Sequence, residues 1–304
     1  MLLRKWFMAL FVIAALSSCK KEEQVVFEDN DIPDYSGVST ILVENYVNKI
    51  FIDLIGREPT DIEMNTEVAA LENGDLSAAS RTALCNKLMF STTAVDGTTY
   101  TDAYFRKLYD DQKARFINGV SEASLNEEYW TWRTIAYQDS LQGDFFTYEI
   151  IMLEANKVKA LIDSRIELRD GLITIDEMCR RMMYNSVYDD INMGSFNFIN
   201  ASFDDCFERF PTESEYTLVY DAIESNLTGI LFGQAVSNKP EYLDVLTHST
   251  EFDEGLIRWA YTALLARDAT SSEVYNRLSL FGTTKNIQAV QRYILISDEY
   301  AGFN

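Results

Sequence analysis

Phe51-Ile52-Asp53-Leu54-Ile55-Gly56-Arg57-Glu58-Pro59-Thr60-Asp61-Ile62-Glu63 is the stretch from which the fold is read. Its pattern returns twice without a gap, from Phe203 to Glu215 and from Tyr261 to Glu273. The shared positions are an aromatic, then Leu or Cys, then Arg, Pro or Ala, Thr, and a final Glu. An aromatic and an apolar residue three positions later lie on one face of a helix. Arg57, Arg209 and Arg267 then fall in that helix's last turn, where a cation meets orphan carbonyls and the negative dipole end. Pro59 and Pro211 bias the preceding residue away from helix. Thr60, Thr212 and Thr270 are placed to cap a second helix, with Glu63, Glu215 and Glu273 completing capping boxes. These nine Arg, Thr and Glu residues are read as structural corners, with Phe51, Phe203 and Tyr261 buried beside Leu54, Cys206 and Leu264. Gly56 suits a tight corner; Glu208 and Ala266 stand in its place in the other copies, so a Gly-dependent corner is expected in the first alone.

Outward from the corners the periodicity stays helical. Val43, Tyr46, Val47, Ile50, Phe51 and Leu54 recur at three- and four-residue steps. A second helix is predicted from Asp61 to Asn73, with a stop at Asn73-Gly74 and a third helix capped by Ser77. The third copy predicts a helix from Ser271, a stop at Gly282, a cap at Thr283 or Thr284, and a helix from Ile287 to Ile296. The second and third copies share an ending, Ser249-Thr250-Glu251-Phe252 and Ser297-Asp298-Glu299-Tyr300. Between copies one and two, about residues 100–194 read as a central helical bundle. Its segments are Tyr104 to about Gly119, Leu125 to Leu141, Phe145 to Leu168, and one opened by a capping box at Thr174-Ile175-Asp176-Glu177 and running through Tyr188. Strand-like alternation between hairpin turns is not evident. The expected fold is all-α: a single domain over residues 41–304, a helical array on three corners with that central segment.

Composition bounds the function. The 304 residues carry 48 acids against 26 bases, a formal charge of −22, and are 47% hydrophobic. Such a surface repels nucleic acid and anionic head groups, so no nucleic-acid partner is expected. One histidine, His248, and the absence of C-x-x-C, Gly-rich phosphate loop and H-E-x-x-H remove most zinc, haem and Ser-His-Asp schemes. No catalytic residue, metal site or cofactor is assigned. Cys85, Cys179 and Cys206 do not form a disulfide framework, and His248 is read as an exposed helix cap. The paired acids Asp110-Asp111, Asp189-Asp190 and Asp204-Asp205 are read as solvated faces. Tyr129, Trp130 and Trp132, with Tyr137, form the one candidate ligand-binding cluster. Stacked aromatics hold sugars or peptides, but at helical spacing they more commonly build core, and core is the expectation.

The N-terminus carries a targeting signal. Arg4 and Lys5 precede an apolar run, Trp6 to Leu16, too short to span a bilayer, followed by Leu16-Ser17-Ser18-Cys19. This resembles a bacterial lipoprotein box, which implies a signal peptide over residues 1–18 and lipidation of Cys19. Residues 19–40 read as an acidic flexible tether beginning Lys20-Lys21-Glu22-Glu23, similar to the surface-export signals of Bacteroidetes lipoproteins. The Leu-Gly-Arg-x-Pro corner with a later Ser-x-Glu-Phe/Tyr ending resembles uncharacterised helical families of bacterial surface proteins, and similar corners occur in cytochrome-associated planctomycete domains. These families have no established catalytic residues to carry over. The lipoprotein-like start, the acidic tether, the corners and the missing catalytic set together point to a non-enzymatic interaction or accessory lipoprotein, held to the outer membrane by its lipid, facing either the periplasm or the cell surface, and docking on another envelope protein or an extracellular ligand. An envelope hydrolase or lyase whose carboxylates converge only in the fold, and a glycan-binding module, are the alternatives.

Overall fold

A computed structural model describes residues 34–303. Cys19, the signal peptide and most of the tether lie outside the described residues. Within them the protein is all-α: fifteen helices and two short antiparallel hairpins. Helix α1 (Thr40–Ile55) buries Val43, Tyr46, Val47, Ile50, Phe51 and Leu54 on one stripe. Helices α2 (Asp61–Asn73) and α3 (Ala78–Phe90) follow, the latter capped by Ser77. The third corner joins α12 (Thr250–Leu265) to α13 (Ser271–Thr284), and the second joins α9 (Gly194–Phe207) to α10 (Glu213–Ser225).

All three corners have the same local geometry. Thr60, Thr212 and Thr270 are extended, and each hydroxyl accepts from the amide of its Glu at 3.3 Å. Each Glu carboxylate accepts in return from its Thr amide at 2.7 Å. Each arginine forks onto that same carboxylate, at 2.6 and 2.8 Å for Arg57, and donates to the carbonyl of the next residue. The guanidinium also lies over the corner aromatic, 5.6 Å from the Phe51 ring centre, 5.2 Å from Phe203 and 5.5 Å from Tyr261. Each arginine lies two residues past its helix end rather than in the last turn, and bonds the loop and the next helix's first turn instead of the orphan carbonyls. The shared Ser-x-Glu-aromatic endings supply a second acid: Arg209 also forks onto Glu251 and Arg267 onto Glu299. The first copy lacks that Glu, and the Tyr100 hydroxyl donates to Glu63 at 2.7 Å instead.

The Gly-dependence expected of the first corner alone is corrected. Gly56 has φ 71°, but Glu208 and Ala266 adopt the same left-handed turn, at φ 57° and 53°. A side chain there costs about 1–2 kcal/mol, which the Arg–Glu fork and the capping box offset. Gly282 does not stop α13: the helix continues to Thr284 and closes on Lys285, and Asn286, not a threonine, caps α14 (Ile287–Leu295). Gly282 serves packing instead, since a Cβ there would sit 3.2 Å from Asp253 Oδ2. Thr174 makes no side-chain cap to α7 (Ile175–Met183), and the Glu177 carboxylate is bonded by Arg180 and Arg181 instead of closing a capping box. That helix ends before Asn185, which caps α8 (Ser186–Ile191). Two hairpins escape the all-helical expectation, β1–β2 (94–95 with 98–99) and β3–β4 (229–231 with 234–236). Their turns, Asp96-Gly97 and Phe232-Gly233, have positive φ at both positions, as tight hairpins need.

Tyr35, within the segment read as tether, is part of the fold. Its hydroxyl donates to Asp298 at 2.7 Å and its ring meets Phe303 at 5.9 Å. Buried Arg81 donates to the same Asp298 at 2.8 Å, in α15 (Asp298–Ala301). The first and last copies therefore close on each other. Asp205 is no solvated acid: it accepts from Tyr188 at 2.7 Å, and burial lifts its pKa to about 6. Cys85, Cys179 and Cys206 are free and buried. No helix among the described residues is long and apolar enough to cross a membrane.

Candidate interaction site

Residues 100–194 supply α4 (Tyr100–Phe116) and an antiparallel helical pair, α5 (Glu122–Leu141) and α6 (Phe145–Arg169). Ser121 caps α5, accepting from Ser124, and Asp144 caps α6, accepting from Thr147. Gly143, at φ 78°, makes the turn between them. The pair closes over small and branched residues: Ala136, Ala155 and Val158 are fully buried.

Helix α6, with 25 residues, is about 37 Å long at 1.5 Å per residue. Its face opposite α5 carries Phe146, Ile150, Leu153, Lys157, Ala160, Leu161 and Ser164 at helical spacing. Leu161 and Ser164 are fully buried, and the Leu161 carbonyl accepts from Tyr109 of α4. Helix α7 then reaches Ala160 through Arg181, but with nine residues it spans only about 13 Å. The N-terminal half of this α6 face is left uncovered, and Phe146 is 76% exposed. Across the pair, Trp130, Tyr137 and Leu141 form an outward stripe on α5, and Phe145 is exposed at the tip. Where α7 ends, a groove of about 440 Å³ opens between Ile150, Leu153 and Lys157 of α6, Arg180 of α7 and Tyr184 just past its end. Lys157 stands over the Tyr184 ring at 4.4 Å. Burial opposes ionisation of Glu177, but its bonds from Arg180 and Arg181 prevail and hold the carboxyl below its ordinary range. Glu154 is paired with Lys157 at 2.7 Å. The groove offers apolar walls with a neutralised polar rim.

The three aromatic candidates divide. Trp132 is half-buried, and its indole N–H donates to Glu128 and to Ser186, tying α5 to α8. Tyr129 is half-buried and accepts from Arg133. Trp130 is 59% exposed, against the core expectation, with Arg133 5.7 Å from its ring centre. The sequence reading missed Leu141, Phe146 and Tyr184 as a group; the signal available was an apolar face on a helix longer than the partner that covers it. Elsewhere, His248 ends α11 (Lys239–Thr247) about half exposed, its Nδ1 2.8 Å from the Asp244 carbonyl oxygen and its Nε2 3.3 Å from Asp176. The corner arginines do not converge; each has its own carboxylates. Among the described residues no three His, Cys, Asp or Glu side chains are grouped to hold a metal ion. No protein-family model, curated protein or solved structure matches this chain.

Proposed function

We propose that this protein is a non-enzymatic interaction lipoprotein of the bacterial outer membrane, anchored through Cys19, that receives an envelope protein on its α5–α6 pair. The observation that carries the reading is the uncovered apolar surface running from Phe146 through Ile150 and Leu153 into the α6–α7 groove. Exposed large apolar patches on an otherwise well-packed protein mark interaction sites. The partner's chemistry follows from charge. The helical pair from residue 122 to 159 carries seven acids against three bases while the groove's own charges are paired, so the complementary surface is apolar where it enters the groove and basic where it lies along the pair. An amphipathic helix with basic flanks fits a groove of this kind.

The anchor rests on the basic residues, apolar run and Leu-Ser-Ser-Cys of the N-terminus. Cys19→Ser is expected to release the protein from membranes or leave an uncleaved precursor. The docking reading is tested by affinity recovery from detergent-solubilised envelopes, with wild type beside a Phe146→Asp, Leu153→Asp variant. One stoichiometric partner is expected with wild type and not with the variant, both melting alike. Recovery of the protein alone, or of the same partner by both, refutes it. A glycan-binding reading keeps one specific support, the exposure of Trp130, although Arg133 lies over its ring. Loss of oligosaccharide binding in Trp130→Ala, with protein recovery unchanged, favours that second reading.

A further inference from the structure

At the other end of α6 the surface charge reverses. Gly97 of the β1–β2 turn, Thr98 of β2, Asp102, Phe105 and Arg106 of α4, and Arg165 and Arg169 of α6 line a cleft of about 210 Å³. Three guanidiniums face one carboxylate there, a local balance of 3 − 1 = +2 in a chain of net charge −22. Arg169 is occupied: it donates to Asp102 at 2.6 Å and to Asp170 at 2.8 Å. Asp102 is occupied as well, accepting from Thr99 at 2.6 Å. Arg106 and Arg165 are not. Among the described residues they are the two arginines with neither hydrogen bond, ion pair nor ring contact, and both line this one cleft. The helix dipole gives no account of Arg106, which lies in the second turn of α4, away from the negative end that favours cations.

We propose that this cleft binds a tetrahedral oxyanion, a phosphate or sulfate group, between the forks of Arg106 and Arg165. Planar guanidiniums with free donors match such oxygens two at a time. The volume is below the roughly 300–1,000 Å³ of sites that enclose a whole drug-sized ligand, so the cleft takes the charged group and leaves the body outside. Exposed Ile166, at the cleft's edge, is placed to meet that body. The site is independent of the docking surface and stands or falls apart from it.

Isothermal titration of the full chain in detergent, at low chloride, with sodium phosphate and separately with sodium sulfate, tests the site. One saturable site for at least one anion is expected, weakened by about tenfold or more in the Arg106→Ala, Arg165→Ala variant through loss of its charge-assisted bonds. Lys159→Ala, on the same helix outside the cleft, is expected to bind as wild type. Neither Arg106 nor Arg165 makes a hydrogen bond or an ion pair, and of the two only Arg165 acts on Asp102 through space, so the double variant is expected to melt close to the wild type. Saturation by neither anion, or equal binding by the double variant, overturns the proposal.

Discussion

The corners and the α5–α6 pair use the same residue types in opposite ways. At the corners Phe51, Phe203 and Tyr261 are buried, and every Arg, Thr and Glu of the pattern has a partner. On the helical pair Phe145, Phe146, Trp130 and Leu153 are open to solvent. Aromatic and apolar side chains contribute to folding only where a second element covers them. The corners are where this chain holds itself together. The α6 surface beyond the end of α7 is where apolar area remains unused by the fold.

The largest expected effect separates the two regions directly. Phe51→Ala should destabilise by about 3–5 kcal/mol in a denaturant melt, from lost burial and the cavity left behind. Phe146→Ala should stay within about 0.5 kcal/mol of wild type, as exposed positions do. Equal costs would erase the distinction between the regions.

The corner ion pairs sharpen it through pH. Burial opposes ionisation of Glu63, but the Arg57 fork, the Thr60 amide and the Tyr100 hydroxyl together draw its pKa down to about 2. A carboxyl with a depressed folded pKa stabilises above its unfolded value, near pH 4.5, and that contribution fades as pH falls toward 2. Glu63→Gln should therefore cost about 2 kcal/mol at pH 7 and approach wild type near pH 2, read from urea midpoints across that range. A pH-independent difference would mean that packing, not charge, holds the corner. Asp205 has the opposite sign. Its pKa is raised to about 6, chiefly by burial, so its ionisation opposes folding above that pH. Asp205→Asn, which still accepts from Tyr188, should stabilise by about 1 kcal/mol at pH 8 and by less below pH 4. Destabilisation at pH 8 would show that the Tyr188 bond needs the charge.

The smallest effect probes the corners among themselves. Glu208→Gly and Ala266→Gly should each gain up to about 1 kcal/mol, because glycine takes the left-handed turn without strain. Gly56→Ala should lose a similar amount, with its φ of 71° and Lys107 Cδ 3.3 Å from the new Cβ. No gain at Ala266 would mean that its backbone is already relaxed by the Arg267 fork.

The corners were legible because their determinants are local: a proline or alanine, a threonine and a glutamate within a few residues fix both helix ends. The left-handed turns at Glu208 and Ala266 were not, since the ion pairs that hold them reach Glu251 and Glu299, far along the chain. At Thr174 the local signal was present, yet its hydroxyl makes no cap and Glu177 is bonded to the arginines at 180 and 181. The two-residue and three-residue strands are too short to show alternation. The exposure of Trp130 and Phe146 was hidden for a different reason. Periodicity tells which residues share a face but not how far the neighbouring helix extends along it. The oxyanion cleft unites side chains about sixty positions apart and has no motif.

The clasp of Tyr35, Arg81 and Asp298 sets an order of events. Arg81 is 2% exposed, and its carboxylate is contributed by α15, 217 positions later. Until that last helix emerges, seating α3 would bury an uncompensated guanidinium, a cost of several kcal/mol. The first three helices are therefore expected to set late, when α15 brings Asp298, and contacts of such sequence separation slow folding generally. The clasp thus couples distant segments: the N-terminal helices lock only once α15 is in place.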